Sequence, residues 1–173
     1  MTNDCYGVPE QGSSAPEAPS PEVRPAADRP PCPQCGTPGK RVQGQTVKAL
    51  VSVSLRDVTD GGYRFCPTPT CSVVYFHEAG RPVFTTAQVR ERVYQKHPLS
   101  ESVFICYCFR HTLGSIQNAT GPGRAAILED INAGVQSQLC ACDLRNPQGT
   151  CCLGSVRALL QDLAAAEPEV RPF

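Results

Sequence analysis

The chain has 173 residues, 40% of them hydrophobic, no tryptophan, and 16 basic residues balanced by 16 acidic ones. Zero net charge with no basic stripe argues against a general hold on nucleic acid or an anionic membrane. No run approaches the roughly 18 apolar residues of a membrane span. Met1–Val8 lacks the basic-then-apolar pattern of a secretory signal, so a cytoplasmic protein without membrane insertion is expected.

Residues 1–31 hold seven prolines among Ser, Ala, Glu and Gly. Such a stretch cannot bury enough apolar surface to offset its ordering entropy, so a disordered or polyproline-like tail is expected. Cys5 lies in it, far from any other cysteine. Folded structure is expected in two lobes, 32–97 and 103–167, with Pro98–Ser102 as the linker. Lobes of that size have marginal cores, and bound metal would add stability.

In the first lobe, Val47, Ala49, Val51, Val53 and Leu55 alternate with polar residues, with Leu50 as the exception, so Thr46–Leu55 reads as a strand. Asp60-Gly61-Gly62 signals a turn. Gly62–Phe65 and Ser72–Phe76 read as strands, and Val83-Phe84 begins another. Thr85 or Thr86 is placed to cap a helix running to about Gln95, ended by His97-Pro98. The second lobe opens with the strand Val103-Phe104-Ile105. A helix capped by Thr112 follows, then Thr120-Gly121-Pro122-Gly123 as a break. A helix over 124–132 has Ile127, Leu128 and Ile131 on one side. A loop over 134–150 and a last helix from about Cys152 to Ala166 complete the reading.

Eleven cysteines, an odd number without a secretion signal, argue against a disulfide framework. Four form a first set: Cys32-Pro33-Gln34-Cys35, then Cys66 and Cys71. A C-x2-C turn and a second pair about thirty residues on suit a tetrahedral, fully thiolate-bound structural zinc. Gly36 lets the chain turn after Cys35. His77, Asp57 and Asp60 lie near in sequence but read as surface residues. Six cysteines form a second set. Cys106-Tyr107-Cys108 sits among Phe104, Ile105 and Phe109, which suits an iron–sulfur centre. Two ligand positions then remain for Cys140, Cys142, Cys151 and Cys152. Helix phase puts Cys152 with Val156, Leu159 and Leu163, and Cys151 with Gly154, Ser155 and Ala158, which favours Cys152 over its alternate Cys151. Asn146-Pro147-Gln148-Gly149 is a turn that brings Cys142 back toward that helix start.

The ordered series Cys32-Pro-Gln-Cys35, Phe65-Cys66-x4-Cys71-x-Val73-Val74-Tyr75-Phe76, Cys106-Tyr-Cys108 and Cys142-x3-Asn146-Pro147-x-Gly149-x-Cys151-Cys152 resembles the amino-terminal region of CopZ-type copper chaperones. The resemblance spans roughly residues 31–163. It implies an α+β fold: a small zinc-ribbon-like β lobe, then a small helical 2Fe–2S lobe resembling bacterioferritin-associated ferredoxin. It implies zinc on Cys32, Cys35, Cys66 and Cys71, and a 2Fe–2S cluster on Cys106, Cys108, Cys142 and one of Cys151 and Cys152. It further implies one-electron transfer that helps convert Cu(II) to Cu(I). Proteins of that type continue into a domain with a Met-x-Cys-x-x-Cys loop. This sequence ends at Phe173 and its single methionine is Met1, so direct Cu(I) delivery by that loop is not expected. Cys140 adds a thiol that transient Cu(I) would suit.

The expected function is therefore metal-binding and redox rather than enzymatic, beyond an auxiliary metal-reductase activity. The expected partners are a separate soft-metal chaperone or metal-transporting ATPase, and an electron donor. The competing reading is a zinc-ribbon interaction or nucleic-acid module with two zinc sites, which the neutral charge disfavours. His111, close to Cys108, reads as a solvated or capping residue rather than a proton donor.

Overall fold

The computed structural model describes residues 29–166. The expected amino-terminal tail, including Cys5, therefore lies almost entirely outside the described residues. The first half is a four-stranded antiparallel meander, in the order β1 (Lys40–Val42), β2 (Tyr63–Phe65), β3 (Val73–His77), β4 (Val83–Thr85). Its register pairs Lys40 with Phe65, Phe65 with Tyr75, and Phe76 with Val83. Strands β2 to β4 fall where turn signals and β-branched or aromatic residues placed them.

The segment after β1 differs from expectation. Gly44–Leu50 is a helix, α1, and not the start of a strand. Val47, Leu50 and Val51 are all buried and stand at i, i+3 and i+4, the helical spacing. Leu50, the exception to alternation, is the residue that distinguishes the two periods. These side chains join Tyr63, Phe65, Tyr75 and Phe84 in one core. Each buried side chain of this size contributes about 1.5–3 kcal/mol. The long helix expected after Thr85 is also absent. Two separate 3-10 turns stand in its place, Thr86–Gln88, with the Thr85 amide donating to the Gln88 side chain at 3.1 Å, and Tyr94–Lys96. Between them the chain extends because 88–90 pairs with 50–52, Ser52 N donating to Gln88 O and Arg90 N to Leu50 O. Pairing to an existing edge outcompetes helix propagation there.

The second half begins with a short hairpin, β5 (Phe104–Cys106) and β6 (His111–Thr112). Helix α2 (Leu113–Gln117) follows, its Thr112 cap accepting from Ser115 N. Helix α3 runs over Gly121–Gln136, longer than expected at both ends. Pro122 sits in its first turn, where a missing N–H costs nothing, so it starts the helix instead of preceding it. The expected loop over 134–150 contains one helical turn, α4 (Cys142–Arg145). Helix α5 (Leu153–Ala166) closes the described chain. Ile105, Cys106, Ile116, Ile131, Cys152 and Val156 form a second core, and Tyr94 packs against it from the first half. No helix among the described residues is long and apolar enough to cross a membrane.

Contacts tie the halves together. Gln45 Nε2 donates to Asp143 Oδ2 at 2.9 Å, and Tyr75 donates to Pro147 O at 2.7 Å. Tyr107 donates to Arg92 O at 2.8 Å and accepts from Tyr94 N at 2.9 Å.

Candidate metal centres

Cys32 and Cys35 occupy a tight turn, with Gly36 N donating to Cys32 O at 2.8 Å. Gly36 has φ of 74°, a left-handed conformation that favours glycine. Cys66 follows β2 directly and Cys71 precedes β3, so the wide 66–71 loop folds back over the turn. The four sulfurs lie within 4.8 Å of one another. Cys32 and Cys71 are 3.9 Å apart, Cys35 and Cys66 3.6 Å. Four thiolates about 2.3 Å from one tetrahedral ion stand about 3.8 Å apart, so the spacing fits zinc. Cys32, Cys66 and Cys71 are buried, while Cys35 is exposed.

The surroundings set the thiols apart. Burial pushes the Cys71 thiol up to about 12, and burial also raises Cys32. Hydrogen bonding by the Thr68 and then the Thr37 hydroxyl draws Cys35 down to about 5. The Thr68 hydroxyl lies 3.4 Å from Cys35 Sγ and donates to the Thr37 hydroxyl at 2.9 Å. Lys96, buried despite its charge, donates from Nζ to Thr68 O at 2.7 Å. It brings a cation to a site that is anionic once four thiolates hold one Zn²⁺. Sequence reasoning missed Lys96, since nothing local links residue 96 to the 66–71 loop.

His77 stays outside the thiol group. Its Nδ1 accepts from Ala79 N at 3.1 Å, its Nε2 lies 3.2 Å from Asp60 O, and its ring packs edge-on to Tyr63. Asp60 pairs with Lys48, and Asp57 ends a separate 3-10 turn.

The second set forms two pairs. Cys106 at the end of β5 meets Cys152 just before α5, with the sulfurs 2.8 Å apart and both residues buried. Cys108 meets Cys142 of α4 at 3.7 Å and accepts from Ala141 N at 3.4 Å. Hydrogen bonding by the Cys152 thiol draws Cys106 down to about 6, with the Phe109 and Cys108 amides also facing that sulfur. The same contact, with burial, pushes Cys152 strongly upward. Burial raises Cys142 to about 12, opposed by the amide of Cys152. Four thiols arranged as two pairs, with amides facing them, could hold a metal centre of more than one ion. Cys140 is half-buried and Cys151 exposed, and neither has a sulfur contact among the described residues. His111 bonds Asp130 at 2.8 Å.

The loop between Cys142 and Cys152 is fixed at both ends. Asn146, buried, donates to Thr150 O at 2.7 Å and accepts from Gln148 N at 3.1 Å. Gly149 has φ of 66°, and a Cβ there would meet Val42 at 2.9 Å, so the turn closes on β1 only with glycine.

Comparisons with known proteins find similarity to one metal-handling family. A family model described as a zinc binding domain, zf_CopZ, matches residues 29–90. The copper chaperone CopZ of Archaeoglobus fulgidus is 35% identical over 122 residues, 70% of this chain and 57% of that protein. The chain thus spans little more than half the length of that relative. The X-ray structure of the Archaeoglobus fulgidus CopZ N-terminal domain is similar with a TM-score of 0.62 at 34% identity, over 75% of this chain and 96% of that one.

Proposed function

The chain belongs to the family of CopZ amino-terminal domains, and from that premise we propose that it is a two-centre metal protein serving one-electron steps in copper or other soft-metal handling. The observation that carries the proposal is the division of the thiols into one quartet of near-equal spacing and two separate pairs.

Zinc would be held by Cys32, Cys35, Cys66 and Cys71. Four protein thiolates leave no open position, so this centre is structural. Its residues close the 31–38 turn onto the 66–71 loop and so fix one end of the sheet. A 2Fe–2S cluster would be held by Cys106, Cys108, Cys142 and Cys152 and would supply one-electron exchange. The chain's own residues prepare that site. Ile105, Ile116, Ile131 and Val156 keep water from the Cys106–Cys152 side. The amides of Cys108, Phe109, Ala141 and Cys152 face the sulfurs and stabilise their negative charge. The half-buried Cys108 and Cys142 face outward and define the side from which a partner gains access.

Copper is cargo in this reading. The relative's name is that of a copper chaperone. The metal would pass to or from a separate soft-metal chaperone or metal-transporting ATPase. The test is to mix anaerobically reduced protein with Cu(II) and a Cu(I)-specific chromogenic chelator. About one Cu(I) per chain should appear, and Cys108→Ser or Cys142→Ser should lower that yield. Wild-type protein that yields no more Cu(I) than a thiol-matched control would contradict the proposal.

A further inference from the structure

A cleft of about 260 Å³ lies between the two halves, beside the outward-facing cysteine pair. Its walls carry three arginines from three separate segments. Arg90 is anchored by its Nε, which donates to Val51 O at 2.9 Å. Arg110 holds its guanidinium 4.5 Å over the Phe104 ring, on a backbone with φ of 61°. Arg145 ends α4, three residues after Cys142. Glu91 is the one acidic residue of the lining. Among the described residues, none of the three guanidinium groups has a carboxylate within ion-pair distance.

This arrangement is unusual in a chain whose total charge is zero. Positive charge is concentrated and left unpaired at one place. Guanidinium groups bind carboxylates through two parallel N–H bonds, and two of these three are already oriented by a hydrogen bond or a ring. The floor includes Phe104 and Tyr107, and aromatic residues with arginine mark the centres of protein interfaces. The volume is below the roughly 300 Å³ at which small-molecule sites begin, and is better matched to a few inserted side chains.

We propose that this cleft is the docking site for a carboxylate-bearing surface of a partner protein, brought to the Cys108–Cys142 side of the molecule. The partner is a protein with acidic side chains around an apolar one, the acids meeting Arg90, Arg110 and Arg145 and the apolar group meeting Phe104 and Tyr107. Its role as electron partner rests on the function proposed above, whereas the docking itself is read from the arginines.

The test uses the full chain, with zinc and iron content measured on the same sample. The probe is a fluorescein-labelled glutamate-rich peptide with one central phenylalanine, followed by anisotropy. Binding should be saturable and should weaken as salt rises from about 0.05 to about 0.3 M. Arg110→Gln with Arg145→Gln should weaken it by about tenfold or more. Arg157→Gln, on the exposed face of α5, should leave it unchanged, and a lysine-rich peptide should not bind. The proposal is overturned if the double variant binds as wild type does. It is equally overturned if Arg157→Gln weakens binding as much, or if a single-stranded oligonucleotide competes better than the unlabelled peptide. Docking lost in iron-loaded protein removes this proposal alone. Docking retained in protein that carries zinc but no iron removes the cluster reading alone.

Discussion

The Tyr75 hydroxyl donates to the carbonyl oxygen of Pro147 at 2.7 Å, both groups buried, across 72 positions of sequence. Tyr75 belongs to β3, two residues past Val73 and four past Cys71, while Pro147 lies in the turn between Cys142 and Cys152. One hydrogen bond thus joins the strand that leaves the quartet to the loop that carries half of the paired thiols. Burial holds the phenol far above its ordinary pKa, so it remains a donor throughout the pH range of the folded protein.

Removing that hydroxyl leaves a buried carbonyl without its partner. Tyr75→Phe should lower stability by about 1–3 kcal/mol, read from chemical denaturation. It should also speed loss of the visible absorption expected of the proposed cluster while leaving zinc content near normal. Unchanged stability would show that the Pro147 carbonyl finds another donor.

Lys96 supplies a buried cation beside the zinc quartet through Thr68. Lys96→Met should weaken zinc binding by about tenfold or more, measured by chelator competition, with Lys96→Arg recovering part of the loss. Equal affinity in Lys96→Met would make the lysine a packing residue only.

The thiols also set a pH dependence. Cys71, pushed up to about 12 by burial, and Cys32, also raised, carry protons at neutral pH in the absence of metal, whereas Cys35, at about 5, does not. Zinc must displace at least those two protons, so affinity rises with pH and falls as the solution is acidified. Between pH 8 and 6 the apparent affinity should drop by at least about 100-fold per pH unit, with proton release seen in weakly buffered solution. A pH-independent affinity would contradict the protonated assignment of Cys32 and Cys71.

Much of this arrangement is written locally. The C-x2-C turn with Gly36, the strands around Cys66 and Cys71, and the Thr112 cap follow from spacing and turn chemistry. The phase of α5 also anticipated that Cys152 is buried and Cys151 exposed, because Val156, Leu159 and Leu163 define one apolar side. Other features were settled by tertiary contacts. Thr46–Leu55 fits two periods, and only packing of Leu50 against the sheet selects the helix. Residues 88–90 extend because the 50–52 edge is there to pair with. Lys96, Tyr75 and Tyr107 act on partners far away in sequence, so no local pattern marks them.

The phase argument has its own consequence. Cys151→Ser should keep the cluster absorption and Cys152→Ser should bleach or shift it, because only Cys152 meets Cys106. Cys140→Ser should also keep it. The reverse result for residues 151 and 152 would place the ligand in the loop before α5.

The most direct test of two distinct centres is the composition of protein purified without oxygen. The account predicts red-brown protein with about two irons, two acid-labile sulfides and one zinc per chain. On one-electron reduction it should give a low-temperature paramagnetic resonance signal. Colourless protein with two zincs, no sulfide and no such signal would contradict it.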